Sequence, residues 1–243
     1  MRVVAIIQAR MASTRLPGKV LMDIGGRTML ERVILRTRLA SLVDEVAVAT
    51  TTAAGDDRLA AACVALDAPA MRGSEDDVLD RYRHAAALYG ADAIVRITSD
   101  CPLIDPSLID DVVASFLAES PDYASNIVQR SYPRGLDTEV ISRAALERAW
   151  REAAGAQHRA HVTPYVYLHP TEFTVVSVCG RDDFSDNRWT VDTQIDLDVV
   201  RDIYAAARNR DDLGWTEALA MVQAHPDILT RNRDVRHKAL EEG

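Results

Sequence analysis

The chain has 243 residues, of which 48% are hydrophobic and 27% are charged, a composition typical of a globular enzyme with a sizeable core. Its net charge of −9 argues against a general nucleic-acid-binding protein, because such proteins draw their affinity from a basic surface. The sequence has no apolar stretch long enough to cross a bilayer, and its 3 cysteines indicate neither a zinc site nor a disulfide framework, so we expect a cytoplasmic protein that binds no membrane.

The first predicted element is a short buried strand at residues 3–7, followed by a loop rich in cations. The loop contains Arg10, Arg15 and Lys19 together with hydroxyl side chains and a Pro-Gly turn. After the first strand of an α/β sheet, such a loop faces the crevice where ligands usually bind. These cations would repel one another unless an anion lay between them, and a nucleoside triphosphate has the required charge. The alternative is that they are ordinary solvated surface charges.

Helical and strand patterns alternate through the rest of the first half. The patterns predict a helix at 28–39, a strand at 46–50, helices at 56–66 and 75–89, a strand at 93–98 and a helix at 107–119. Strands separated by helices of this length indicate βαβ units. We therefore expect an α/β fold with a mostly parallel central sheet flanked by helices.

The second half is less regular, and its strand patterns predict a small mixed extension of the sheet. In chain order we expect a loop at 131–140, helices at 144–154 and 158–167, strands at 173–178 and 188–191, helices at 196–207 and 215–224, and a polar tail at 232–243. The sequence shows neither repeats nor a linker long enough to separate two domains, so we expect a single domain over 1–243.

Two aspartates that follow predicted strands are candidates for holding a divalent cation. Asp100 follows the strand at 93–98, and Asp192 follows the strand at 188–191. Carboxylates at such strand ends project into the same crevice as the first loop, and Mg²⁺ takes one or two of them together with phosphate and water. For Asp192 the alternative is a helix cap, whereas Asp105 is better placed than Asp100 to cap the helix that follows.

Cations and a metal around a triphosphate predict nucleotidyl transfer. They would neutralise the triphosphate, open its α-phosphorus to attack and stabilise the charge of the departing pyrophosphate. Arg10, Lys19 and Asp100 are the predicted catalytic residues.

Six segments of the sequence resemble the cytidylyltransferases that activate sugars, in the branch of spore coat polysaccharide biosynthesis protein F. They are IIQARMASTRLPGKVL at 6–21, RGSEDDVLDRY at 72–82, RITSDCPLIDP at 96–106, GLDTEV at 135–140, HVTPY at 161–165 and RWTVDTQIDL at 188–197. Related enzymes activate acylneuraminate and 3-deoxy-manno-octulosonate. The resemblance implies a Rossmann-like nucleotidyltransferase fold, CTP, Mg²⁺, pyrophosphate release and a homodimer.

The resemblance also implies roles for individual residues. The triphosphate would be held by Arg10, Ser13, Arg15 and Lys19, and the metal by Asp100 and Asp192. Arg72, Gly73 and Ser74 would lie near the base, and the acceptor, in the subregion 131–180, would be lined by Gly135, Asp137, Glu139 and His161. For His161 a position in the core or on a helix face is an equal alternative.

Three residues depart from the usual pattern of this family: Ser99 in place of Gly, Ala160 in place of an acidic residue and Gln194 in place of Pro. We expect CMP transfer from CTP to a small sugar acid or related acceptor in activated-sugar and surface polysaccharide biosynthesis. The alternatives are another nucleotide or a sugar-1-phosphate acceptor, a GT-A-like glycosyltransferase, and a nucleotide-binding protein without catalysis. The glycosyltransferase is disfavoured because the segment at 99–102 has one carboxylate instead of a DxD pair.

Overall fold

The computed structural model describes residues 1–236 and contains a seven-stranded sheet surrounded by helices. The strands are β1 (Val3–Gln8), β2 (Asp23–Ile24), β3 (Arg27–Thr28), β4 (Glu45–Thr51), β5 (Ala70–Gly73), β6 (Ala93–Thr98), β7 (Tyr123–Ser125), β8 (Glu139–Ser142) and β9 (Val175–Ser177). The helices are α1 (Met29–Thr37), α2 (Asp57–Ala65), α3 (Val78–Leu88), α4 (Pro106–Glu119), α5 (Arg143–Glu152), α6 (Ala156–His161), α7 (Pro164–Tyr167), α8 (Gln194–Ala206), α9 (Trp215–Ala224) and α10 (Pro226–Arg231). Short 3₁₀ turns cover Lys19–Leu21 and Ala54–Asp56.

The order of strands across the sheet is β5-β4-β1-β6-β8-β7-β9, and β2 and β3 form a separate hairpin. β8 runs antiparallel to both of its neighbours, and the other six strands of the sheet share one direction. The predicted α/β fold with a mostly parallel sheet and a small mixed extension is confirmed.

Successive side chains of β1 point to opposite faces of the sheet and enter two different cores. Ala5 and Ile7 pack with α1, α2 and α4, whereas Val4 and Ile6 pack with α3 and α5. The strand is therefore buried on both faces, which explains its uninterrupted apolar run. A further core, centred on Trp189, joins α8 and α9 to the rest of the molecule.

β1 lies at the point where the strand order reverses, with β4 on one side and β6 on the other. In open α/β sheets this switch point leaves a crevice beyond the carboxyl ends of the strands. The cation-rich loop leaves β1 there, and Asp100 follows β6 at the same edge. The fold thus places both segments where a ligand can lie between them.

Several predicted elements differ from the structure. Residues 188–191 form no strand, because their backbone pairs with two separate loops: Trp189 N donates to the Arg134 carbonyl at 2.7 Å, and Val191 N donates to the Asp100 carbonyl at 2.8 Å. The predicted loop at 131–140 ends in β8, and β5, β7 and α10 were not predicted. The helix predicted from residue 75 begins at Val78. Within the predicted tail, residues 237–243 lie outside the described residues.

Among residues 1–236, no helix combines the length and the apolar character needed to span a bilayer.

Candidate active site

The cation-rich loop has a fixed shape because backbone groups inside it are paired. The carbonyl of Met11 accepts hydrogen bonds from Ser13 N at 2.9 Å and from Gly18 N at 3.0 Å. Gly18 has a φ of 72°, which glycine adopts without strain, and the turn starting at Lys19 follows it. The buried carboxylate of Asp56 accepts from Met11 N at 2.7 Å and ties the loop to the end of β4.

Lys19 brings three segments of the chain together. Its Nζ donates to Asp100 Oδ2 at 3.0 Å, to Asp192 Oδ1 at 3.0 Å and to the carbonyl oxygen of Val191 at 2.7 Å. Only 12% of its side chain is exposed. The two carboxylates predicted from distant strand ends therefore meet on one ammonium group.

The backbone explains how residue 192 reaches residue 100. The carbonyl of Asp100 accepts from Val191 N at 2.8 Å and from the hydroxyl of Thr190 at 3.3 Å. α8 begins just afterwards, and Thr193 forms a capping box with Asp196. The helix-cap alternative for Asp192 is therefore wrong, because the next residue caps the helix. The expected cap by Asp105 is confirmed at α4.

Three cations surround the carboxylate of Asp192. Besides Lys19, Arg15 Nη2 and Arg188 Nη2 each lie 2.9 Å from Oδ2. Burial alone would raise the pKa of this carboxyl group, but the charges of Lys19 and Arg15, together with the hydrogen bonds from Lys19 and Arg188, lower it to about 2. Burial likewise disfavours the charged form of Lys19, yet Asp100 and Asp192 outweigh it and raise the pKa of the ammonium. Lys19 and Asp192 are therefore both ionised at neutral pH.

These side chains lie in a cleft with a volume of ≈ 630 Å³. Of the predicted site residues, the lining includes Arg10, Ser13, Arg15, Lys19, Asp100, His161 and Asp192. Two of the three departures, Ser99 and Ala160, also line it. The third, Gln194, is the first residue of α8 and donates to Asp198 at 2.8 Å.

The predicted base-side residues are not in the lining of this cleft. The Nε of Arg72 donates to the Thr51 carbonyl at 2.8 Å, and its Nη2 lies 2.8 Å from Asp57. Gly73 ends β5, and the hydroxyl of Ser74 accepts from a backbone N–H at 3.2 Å. The cleft is lined instead by the next two residues of the chain, Glu75 and Asp76.

Three of the predicted acceptor residues are also absent from the lining and make contacts within the acceptor-side subregion or with neighbouring segments. A Cβ on Gly135, which has a φ of 104°, would lie 2.6 Å from the backbone N of Thr190, so the loop at 131–140 approaches that segment closely. Asp137 pairs with Arg130 at 2.5 Å.

Glu139 is buried and pairs with Arg96, with the hydroxyl of Tyr123 at 2.7 Å and with Thr163. His161, at the end of α6, is the predicted acceptor residue that does line the cleft.

Several cleft residues were missed by the sequence interpretation, among them Gln8 at the end of β1 and Arg81 on α3. A signal for Arg81 was present, because helical spacing places it beside the buried Val78, Tyr82 and Ala85. A charged side chain on the apolar face of a helix is unusual, and its burial indicates a functional or structural role.

The sequence profile of the cytidylyltransferase family matches residues 4–220. Among curated proteins, an uncharacterised protein of Methanocaldococcus jannaschii is 36% identical over 247 residues, covering 100% of this chain and 99% of that protein. The spore coat polysaccharide biosynthesis protein SpsF of Bacillus subtilis is 32% identical over 232 residues, covering 93% and 95%. The 3-deoxy-manno-octulosonate cytidylyltransferase of Geobacter sulfurreducens is 45% identical over 123 residues, covering 50% and 47%.

Solved structures show the same similarity. A cytidylyltransferase from Leptospira borgpetersenii superimposes with a TM-score of 0.92 at 31% identity, covering 98% of this chain and 100% of that chain. A CMP:2-keto-3-deoxy-manno-octonic acid synthetase complexed with CTP gives a TM-score of 0.69 at 21% identity, covering 85% and 100%. At the lower identity the likeness concerns the fold alone.

Proposed function

The chain belongs to the cytidylyltransferase family, and from this premise we propose that it transfers CMP from CTP to a sugar acid or a related acceptor, with release of pyrophosphate. The observation that carries the proposal is the position of Lys19, whose ammonium contacts Asp100 and Asp192 in the cleft that the cation-rich loop also lines. Cationic donors and convergent carboxylates in one cleft are what a metal-assisted reaction of a triphosphate requires.

The triphosphate is assigned to Arg10, Ser13, Arg15 and Lys19. The side chains of Arg10 and Arg15 are 49% and 29% exposed, so both guanidinium groups are accessible to an incoming phosphate. Guanidinium and ammonium donors form charge-assisted hydrogen bonds with phosphate oxygens. For the base we propose the segment 72–76, because its last two residues line the cleft.

The carboxylates of Asp100 and Asp192 fit a magnesium ion. Each has an oxygen 3.0 Å from the same nitrogen, so the two oxygens lie within twice that distance of each other. Among residues 1–236 no three His, Cys, Asp or Glu residues are grouped so that they could hold a metal. Two carboxylates are enough for Mg²⁺, because this ion characteristically uses one or two of them together with phosphate and water. When bound, Mg²⁺ would supply positive charge that stabilises the phosphates and the leaving group.

Cys101, the residue after Asp100, leaves the Asp100 carboxylate available to a metal. Oδ1 of Asp100 has a distant contact of 3.6 Å with the thiol of Cys101. Burial raises the pKa of the Cys101 thiol well above its ordinary value, so without a metal the thiol is neutral and donates in this contact.

In the proposed reaction an acceptor hydroxyl gives its proton to water as its oxygen forms a bond to the α-phosphorus of CTP, and the bond from that phosphorus to the bridging oxygen of the β-phosphate breaks. The electron pair leaves with pyrophosphate, whose charge Arg10 stabilises by donating hydrogen bonds and Lys19 stabilises by its positive charge. Asp100 holds Lys19 in place at 3.0 Å. His161, which also lines the cleft, is assigned to the acceptor.

A sugar acid is the proposed acceptor because relatives of this chain are named for 3-deoxy-manno-octulosonate and for spore coat polysaccharide biosynthesis. On the same ground we place the reaction in the activation of sugars for surface polysaccharides.

A panel of four nucleoside triphosphates, each mixed with Mg²⁺ and a set of sugar acids, tests the proposal by pyrophosphate detection. We expect pyrophosphate release that requires both CTP and an acid acceptor. Release with another triphosphate or with a sugar-1-phosphate would contradict the assigned substrates. Hydrolysis of a nucleotide sugar without consumption of free triphosphate would contradict nucleotidyl transfer itself.

A further inference from the structure

Arg81 is a buried cation without a hydrogen-bond partner for two of its nitrogens. Only 2% of the residue is exposed, and it lines the cleft. Its Nε and Nη1 are buried and have no acceptor within the part of the chain that the structure describes. Buried polar groups are nearly always hydrogen-bonded, so this guanidinium needs an explanation.

Two other buried arginines show what a structural guanidinium looks like in this molecule. Arg32 donates its Nε to the Ile24 carbonyl at 3.1 Å and its Nη1 to Asp211 at 2.5 Å. Arg36 donates its Nε to the Ile104 carbonyl at 2.6 Å and also reaches other backbone carbonyls. Arg81 is as buried as these residues but lacks such acceptors, and it differs from both by lining the cleft.

Two carboxylates, Asp56 and Glu75, lie near Arg81, but neither accepts a hydrogen bond from its Nε or Nη1. Asp56 is committed to Met11 N and to a threonine hydroxyl, and Glu75 lies 3.6 Å from Arg10. Burial lowers the pKa of Arg81 and the nearby charge of Arg10 acts in the same direction, whereas Tyr82, Asp56 and Glu75 oppose the shift without cancelling it. An unpaired buried cation is costly, and a second cation nearby adds repulsion. An anion between the two would relieve both effects.

The backbone makes room for this side chain. A Cβ on Gly73 would lie 2.8 Å from Cγ of Arg81, closer than side chains tolerate. Glycine at the end of β5 therefore allows the arginine to lie against the strand and reach the cleft.

We propose that Arg81 binds a phosphate group of the nucleotide's polyphosphate chain, its guanidinium group donating hydrogen bonds to phosphate oxygens beside Arg10. The identity of the nucleotide rests on the proposed function, whereas the anion site rests on the contacts of Arg81. Phosphate is favoured over the acceptor's carboxylate because the cationic neighbour, Arg10, belongs to the loop assigned to the triphosphate. A guanidinium group is a strong donor of charge-assisted hydrogen bonds to phosphate oxygens.

The test measures the affinity of the full chain for inorganic pyrophosphate by isothermal titration calorimetry. Arg81→Met is expected to weaken binding by about 10-fold to 100-fold, the loss typical of hydrogen bonds to a charged group. Arg81→Lys keeps the charge but replaces the planar guanidinium and its several donor nitrogens with one ammonium group, so an intermediate loss is expected. The control is Arg83→Met on the same helix, since Arg83 pairs with Glu147 at 2.9 Å and is absent from the cleft lining.

Thermal unfolding without ligand separates binding from a structural role. Because Arg81 has no acceptor to lose, Arg81→Met is expected to unfold at the wild-type temperature or above it, while its stabilisation by pyrophosphate falls. Wild-type affinity for pyrophosphate in both Arg81 variants would overturn the inference, even if the wild-type chain turns over CTP. Conversely, a wild-type chain that binds pyrophosphate through Arg81 but never turns over CTP would contradict only the proposed function.

Discussion

Asp192→Asn tests the electrostatics of the site through the stability of the fold. In the folded chain the pKa of this carboxyl group falls from 3.8 to about 2, although burial opposes the change. Each pKa unit corresponds to about 1.4 kcal/mol of differential interaction, and the side chain is 16% exposed, so solvent screens the interaction little. The ionised carboxylate therefore contributes about 2 kcal/mol to the free energy of unfolding at pH 7.

The sign of the pH dependence follows from the lowered pKa. The contribution is fully present above the unfolded value near 3.8 and is lost as the pH falls towards 2. This contribution to the free energy of unfolding is measured by urea unfolding of the wild type and of Asp192→Asn, at pH 7 and at several pH values below 4. The variant is expected to be less stable by about 2 kcal/mol at pH 7, and this difference is expected to shrink in acid.

The matched control is Asp198→Asn on α8, whose side chain is 46% exposed and lies 3.8 Å from Arg201. An exposed ion pair at this distance contributes little to the free energy of unfolding, so Asp198→Asn is expected to change it by less than about 1 kcal/mol. The reasoning is refuted if Asp192→Asn costs no more than the control at pH 7, or if its cost stays constant as the pH falls below 4.

Further predictions concern other residues of the site and its surroundings. Asp100→Asn should lower turnover by several hundredfold or more, because it removes about 4 kcal/mol of transition-state interaction, and should leave the circular dichroism spectrum unchanged. A near-normal kcat would show that Asp100 does not hold the metal. Arg15→Ala should weaken CTP binding several-fold at low salt and less at high salt, and a calorimetric affinity equal to wild type at low salt would make it a surface charge. Gly135→Ala should lower stability by about 1–3 kcal/mol in urea unfolding because of its φ of 104° and the 2.6 Å contact of a Cβ; wild-type stability would show that the loop adjusts.

The sequence predicted the parts of the fold in which periodicity is long and local. β1, β4 and β6 were found within one residue of their bounds because each is an apolar run buried on both faces. β7 was missed because it has three residues, too few for a period to be seen. β8 was missed because its first residue is a buried Glu139, which pairs with Arg96 across the sheet.

The same distinction holds for the site. The cation-rich loop was predictable because its residues are close in sequence. The meeting of Asp100 with Asp192 was predicted from two strand ends, but only Asp100 follows a strand, and Asp192 lies near it because Val191 N donates to the Asp100 carbonyl. Arg72 was placed near the ligand by resemblance, but its guanidinium is held by Thr51 and Asp57. The anchoring of the loop by Asp56 depends on a contact between distant segments, which no local pattern encodes.

A crystal structure of the chain with CTP and Mg²⁺ tests the central claim most directly. The account predicts a triphosphate against the loop at residues 10–19, with the metal between its phosphates and the carboxylates of Asp100 and Asp192. A triphosphate bound elsewhere, or a metal that contacts neither carboxylate, would contradict it.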